Sequence, residues 1–474
     1  MQLAKLTTHK KIKTLSISFF AFLILLLAAY SPVSAQDNSP YSRYGIGDLV
    51  SPNHISSRGM GGISAGFSDF LSINFNNPAS YSSFQAWKEA KSKKLQSGRA
   101  LLDVGINYDS RTLKEPGNTE KFTASNLLVS YLQIGVPLRT NWGMSFGLRP
   151  VSRISYKIYD RERLTNPIPP YNSIDSAITF YEGKGGSYLA SLGTGFSVFR
   201  KEKRGMEEKL SLGFNVGYLF GEKDYSTRRA FINDSVEYYK ANYETRTNYS
   251  NLYLNAGLQY KTPVSSKMML TVGAYGNWMK HIRARQDILR ETYVYEESVG
   301  NYRLDSVYDR TDLKGDVKIP GSVTAGFTLQ KFIDLQKKEG GWILGADFSL
   351  QNWEKYRFYG QPDALKNKWE LKVGGQYNPV PKKSYFSQVS YRFGFFTGPD
   401  YVKSGQKLNQ TGGSIGFALP LANYGRLSQQ ATIINVALEY IKRGSNVNVL
   451  KENLFRVSVG FSLSDIWFGK RKYE

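Results

Sequence analysis

The chain has 474 residues, no cysteine, 62 Lys and Arg against 39 Asp and Glu, and 14% aromatic residues, with 33 Tyr and 44 Gly. The lack of cysteine excludes a disulfide scaffold, a thiolate metal site and a cysteine nucleophile. At 41% apolar and 21% charged residues the chain is too hydrophobic to be disordered. Its mean hydropathy of −0.39 argues against a helical membrane protein, whereas abundant Tyr, Gly, Asn and Ser suit strands with one apolar and one polar face.

Residues 1–35 read as a signal peptide. Lys5, Lys10, Lys11 and Lys13 precede an apolar run at 15–30, and the small residues Val33, Ser34 and Ala35 stand before Gln36. Cleavage there removes four lysines and no acid, taking the formal charge from +23 to +19. No later stretch approaches the roughly 20 apolar residues of a spanning helix.

Residues 36–98 do not alternate. They carry Arg58-Gly59-Met60-Gly61-Gly62, then Phe67 and Asp69, then Phe75-Asn76-Asn77-Pro78-Ala79. A basic stretch at 88–94 follows, a linker and a candidate docking surface for a periplasmic partner.

From 99 to 468 the pattern has period two. Leu252, Leu254, Ala256, Leu258 and Tyr260 alternate with Asn251, Tyr253, Asn255, Gly257 and Gln259; Phe455, Val457, Val459, Phe461 and Leu463 alternate with Arg456, Ser458, Gly460, Ser462 and Ser464. Such alternation places an apolar row on one side of a strand and a small or polar row on the other. About fourteen segments of this kind are centred near Gly105, Leu132, Phe146, Gly193, Gly213, Leu254, Gly273, Ala325, Ala346, Val373, Phe393, Gly416, Val436 and Gly460. Short links near 137–141, 262–267, 378–384 and 420–429 alternate with long polar loops expected at 160–185, 222–247, 286–318 and 359–368. Short turns on one side and long loops on the other are the plan of an outer-membrane barrel. The fold class is therefore all-β, a transmembrane antiparallel barrel of about fourteen strands, with a basic tail at 469–474.

The inward row is rich in glycine: Gly105, Gly135, Gly147, Gly193, Gly213, Gly257, Gly273, Gly326, Gly345, Gly374, Gly394 and Gly460. Glycine weakens a strand, so its recurrence implies bends or another backbone lying close.

The glycine-rich stretch, Asp69 and Asn77-Pro78-Ala79 ahead of such a barrel resemble the FadL-type family of outer-membrane transporters for fatty acids and other hydrophobic compounds. The resemblance implies an N-terminal hatch at 36–98 inside the barrel, an apolar ligand, and exit through a wall opening at a kinked strand. It assigns Gly59, Met60, Gly61, Gly62, Phe67, Phe75, Asn77, Pro78 and Ala79 to the hatch or ligand site. One departure is that the long loops are charged, as at 159–163, with no compact apolar run to form a capture groove.

Enzymatic function is not expected. His54 and His281 have no metal spacing, no cofactor motif is present, and Gly59–Gly66 lacks the Lys-Ser/Thr of a phosphate loop. The basic charge is scattered over both rims, which points to lipid headgroups rather than nucleic acid. The expected function is passive, hatch-gated uptake of a hydrophobic small molecule across the outer membrane, with outer-membrane lipids as neighbours. The alternative is a non-conducting barrel subunit of a larger outer-membrane secretion or assembly complex, with other outer-membrane proteins as partners.

Overall fold

The computed structural model describes residues 39–467 apart from 89–94, 166–168, 170–172, 233–237, 297–299, 404–407, 422–429 and 449. The expected leader, the basic tail and most of the basic linker lie outside the described residues.

Fourteen antiparallel strands form one closed wall: β1 (Leu95–Lys114), β2 (Lys121–Arg139), β3 (Trp142–Thr165), β4 (Ser173–Lys203), β5 (Met206–Ile232), β6 (Lys240–Ser265), β7 (Met268–Asn277 and Lys280–Glu296), β8 (Gly300–Ile319 and Ser322–Lys331), β9 (Gly341–Gln351), β10 (Lys368–Asn378), β11 (Ser390–Pro399), β12 (Asn409–Leu421), β13 (Ala431–Arg443) and β14 (Lys451–Trp467). Each segment centre read from the sequence falls in a different strand. β14 closes on β1 from Lys451↔Lys114 to Trp467↔Gly98, so the seam is fully laddered. The alternation decides which way each strand faces: Phe214, Val216, Tyr218 and Phe220 are exposed on the outside of β5, while Ser211 and Asn215 are buried inside.

Strand lengths are uneven. β9, β10 and β11 have 10 or 11 residues, enough for the roughly 25 Å apolar band when tilted. β4 has 31 residues and β5 27. The loops expected at 160–185, 222–247 and 286–318 are thus largely strand, paired to within a few residues of each hairpin tip. Above the bilayer both faces of a strand meet water, so the apolar row that marks a spanning segment disappears while the ladder continues. Ion pairs within and between strands take its place, with Glu182 between Lys157 and Lys184 and Arg246 between Glu222, Asp224 and Glu244.

Two irregularities interrupt the wall. β7 and β8 both break at one level, at Trp278-Met279 and Pro320-Gly321, and the β6–β7 ladder skips from Asn255↔Asn277 to Ser250↔Arg283. The β2–β3 ladder stops at Leu132↔Leu148. Just beyond that pair β2 bulges at Ser130 and β3 bulges at Val151, next to Pro150, which has no N–H to donate.

Residues 39–88 run inside this wall. Ser39 and Tyr41 bond to Glu452 and to the Leu450 carbonyl at the outer end of β14. Asp48–Leu49 pairs with β3, a helical turn forms at Ile55–Arg58 and a 3-10 turn at Pro78–Ser83, and Ala86–Lys88 leaves along the base of β1. The chain therefore descends the lumen from its long-strand end to its short-turn end.

A lumenal chamber between two seals

The lower seal is residues 53–84 pressed against the wall from nearly every side. A Cβ on Gly213, Gly374 or Gly394 would fall inside the backbone of Pro78, Met60 or Gly61 respectively. Gly105 and Gly460 face Ile55, Gly135 faces Phe84 and Ile73, Gly257 faces Asn77, Gly273 faces Ala65, and Gly345 faces Ile63. At Gly213, Gly273, Gly374 and Gly394 the missing side chain admits the backbone of the segment, and at the others it makes room for one of the segment's side chains. Gly147, Gly193 and Gly326 differ: their space is taken by the wall side chains Gln133, Asn215 and Asp347, which lean over them.

Wall side chains then satisfy the segment's backbone, which must find partners once buried. Asp347 accepts from the amides of Ser64 (2.6 Å) and Ala65 (2.9 Å), and Asp103 accepts from that of Ile73 (2.7 Å). Asn215 donates to the Phe75 carbonyl, Asn255 to that of Asn76, and Gln259 to those of Ala65 and Phe67. Arg58, 1% exposed, donates to Asn107, Ser458 and the carbonyls of Ser51 and Asn53.

The resemblance-derived residues all lie in or beside this seal. Asn77 caps the 3-10 turn by accepting from the Ala79 amide and donates to the carbonyls of Ala65 and Leu258. Pro78 and Ala79 abut β5. Met60 and Phe67 pack with Ile63 and Ile343, and Phe75 lies 5.2 Å from the Tyr131 ring. Gly59 touches Gly416; Gly61 (φ +67°) and Gly62 (φ +87°) turn the chain where a side chain would be strained, and these two also border the chamber above. Asp69 accepts from Leu71 and Ser72 and closes a local turn.

His54 lies in this seal with the contacts of a relay. Its Nδ1 accepts from the Ser56 amide (3.1 Å) and lies 2.7 Å from Ser56 Oγ, while Nε2 faces Asp103 at 3.2 Å. An accepting Nδ1 puts the proton on Nε2, toward Asp103. Ser56, His54 and Asp103 are all buried, and none borders the chamber. The arrangement joins the inner segment to β1.

The upper seal was not legible as a motif. The connections after β9 and β11 fold inward, and Trp353, Tyr356, Leu365, Tyr401 and Val402 pack with Tyr41 and Ile46 against Leu189, Leu219 and Ile282. Tyr401 donates its hydroxyl to the carbonyls of Gly47 and Tyr44, and Tyr356 to that of Gly45. These apolar residues are spread thinly over several distant stretches of the chain, so only the fold gathers them.

Between the seals lies a chamber of about 280 Å³. One side is apolar, with Leu189, Leu219, Ile282 and Ile319. The other carries a charge cluster. Arg111 and Arg443 share Asp48 (2.7 and 3.0 Å) and Glu452 (2.7 and 3.2 Å); Arg443 also reaches Asp400 at 2.8 Å, and Arg456 holds Asp109 through two bonds. Burial alone would raise the Asp48 carboxyl, but the two guanidiniums outweigh it and hold it at about 2. Arg149 enters from β3 above the Phe75 ring, with no ion pair among the described residues. Where β7 and β8 are interrupted the lining includes Leu252, on the outward row of β6, together with Gly276, Trp278, Pro320 and Gly321. Trp278 is 61% exposed.

Among solved structures, the chain is similar to a FadL homologue of Pseudomonas aeruginosa (11% identity, TM-score 0.49, covering 90% of this chain and 100% of that one). It is also similar to the toluene transporters TodX of Pseudomonas putida (13%, 0.46, 89% and 99%) and TbuX of Ralstonia pickettii (13%, 0.45, 87% and 97%). No curated protein matches it. The family model described as BamG matches residues 12–474, lumenal segment and wall together, and the chain belongs to that family.

Proposed function

We propose that the protein resides in the outer membrane after loss of residues 1–35 and takes up hydrophobic small molecules of fatty-acid type. The molecules pass through the chamber and sideways through the wall, without energy input and without enzymatic chemistry. The observation that carries this reading is a chamber between two seals whose lining includes Leu252, Trp278 and Gly321, where β7 and β8 are interrupted. Its apolar side suits an acyl or hydrocarbon chain, and its charged side suits a polar head. In this reading the residues at 53–84 act as a fixed hatch, and transport bypasses them.

The test is binding of a fluorescent fatty acid to the detergent-purified barrel, compared with Thr324→Trp, which fills the chamber from β8. Uptake through the chamber predicts saturable binding weakened at least tenfold in the variant. Equal binding by both proteins, or none by either, would sink it.

A second reading, a non-conducting subunit of a larger outer-membrane assembly, is favoured by the continuous contact of the lower seal with the wall. Mild extraction that yields a stoichiometric complex, with no ligand in the chamber, would select it.

A further inference from the structure

Below the lower seal the lumen ends on the side of the short turns, which in an outer-membrane barrel faces the periplasm. Lys209 of β5 and Lys261 of β6 stand there directly opposite each other in the ladder. Both turn inward beneath the lumenal segment. Lys209, 7% exposed, donates to Ser83 Oγ (3.0 Å) and to the Ser82 carbonyl (3.4 Å), and half-buried Lys261 donates to Ser68 Oγ (3.2 Å). Neither ammonium has an ion pair with a carboxylate among the described residues, because the nearby acids are committed elsewhere. Glu207 holds Arg200, Glu208 holds Lys203, Tyr260 and Thr262, and Asp69 accepts from Leu71 and Ser72.

Higher in the lumen the buried cations Arg111, Arg443, Arg456 and Lys372 each hold a carboxylate. The lysine pair is the exception: like charges directly opposite on neighbouring strands repel, and a buried ammonium without a counter-charge carries its full desolvation cost. The Ser68 and Ser83 hydroxyls accept from the lysines, which leaves each O–H free to donate. Donors without an anionic acceptor therefore line the underside of the seal, the chemistry of a carboxylate or phosphate site. Two residues from Ser68, Phe70 is 49% exposed on the same underside. Around the site the positive field is broad. The five described short turns, at 137–141, 200–209, 261–267, 331–339 and 379–389, carry 13 Lys and Arg against 5 Asp and Glu. Lysines on the outward row of these turns can reach lipid headgroups, whereas Lys209 and Lys261 face the lumen and cannot.

We propose that this underside binds an acidic segment of a periplasmic polypeptide, one of whose Asp or Glu carboxylates enters between Lys209 and Lys261. The carboxylate accepts from both ammoniums and from the Ser68 and Ser83 hydroxyls. Phe70 packs against an apolar residue of the same segment, and the basic rim steers the acidic chain to the mouth over an area that a small ion would not need. The lower seal separates this site from the chamber, so the inference does not depend on the uptake reading.

Fluorescence anisotropy of a labelled ten-residue peptide of Glu alternating with Gly and Leu tests it, with the full barrel in zwitterionic lipid nanodiscs at physiological ionic strength. Binding is saturable and weakens at least tenfold in Lys209→Gln/Lys261→Gln, whose amides can still donate to the serines while both charges are gone. That variant keeps its band shift on boiling. Lys382→Gln/Lys383→Gln, the same loss of charge on the rim away from the pair, weakens binding less than threefold. In the unmodified barrel the peptide slows hydrogen exchange at residues 68–71. Equal losses in the two double variants would mean attraction by the rim alone and overturn the proposal. So would unchanged binding by Lys209→Gln/Lys261→Gln, no binding at all, or displacement of the peptide by an equal concentration of inorganic phosphate, which would mark a site for a free ion.

Discussion

The backbone of Gly61 on the lumenal segment lies against Gly394 of β11 with no space for a methyl group between them. Both partners of the contact are main chain, so neither yields by a rotamer change. Gly394→Ala therefore lifts the segment from the wall, at a cost in the range of overpacked cores, roughly 1–3 kcal/mol. The temperature of the band shift on boiling falls, and protease cleavage appears within 53–84. Gly413→Ala on neighbouring β12, where a Cβ meets nothing closer than 3.9 Å, changes neither measurement.

Asp347 ties down the same segment by polar means. Asp347→Ala leaves the amides of Ser64 and Ala65 buried without an acceptor, and each orphaned group costs about 1–3 kcal/mol. Asp347→Asn, which keeps an acceptor oxygen, retains part of the stability. Thermal unfolding of the three proteins should rank wild type, Asn, Ala.

In the charge cluster, Arg443→Met removes the partner shared by Asp48, Asp400 and Glu452. Breaking a buried pair from one side costs about 3–5 kcal/mol, so this single substitution lowers the unfolding temperature more than Asp48→Asn does.

The Asp48 carboxyl, held at about 2 in the fold, is depressed from the ordinary value near 3.9. Its stabilising contribution is fully present above the unfolded value and is lost as pH falls toward 2. The difference in unfolding temperature between wild type and Asp48→Asn is accordingly constant from pH 8 to pH 5, and shrinks only in stronger acid.

Two seals in series predict a specific pattern of conductance. Tyr401→Ala removes the hydroxyl that holds the Tyr44–Gly47 turn and part of the upper cluster, yet the lower seal remains. In planar bilayers this variant stays closed, as does Gly394→Leu with the upper seal intact. Ion current appears when the two are combined.

The ion pairs of the tall strands carry little stability. Glu182 bridges lysines that are 58% exposed, and exposed pairs are worth about 0–1 kcal/mol. Glu182→Gln should leave the unfolding temperature within a degree or two of wild type.

Period-two alternation by itself determined the number of spanning strands and which face of each meets lipid, because hydrocarbon forces an apolar row on every crossing. It also marked the inward glycines and the non-alternating segment ahead of the barrel. Residues 160–185 lost that signal because water relaxes the constraint on both faces, and their strand character follows from the ladder instead. Tertiary structure alone decided what each glycine serves: Gly394 admits the backbone of Gly61, whereas Gly193 makes room for the Asn215 side chain. Neither use leaves a trace in local sequence, since the partner lies hundreds of residues away in one case and on the adjacent strand in the other. The charge cluster and the upper seal have the same origin. Each depends on residues brought together by barrel closure.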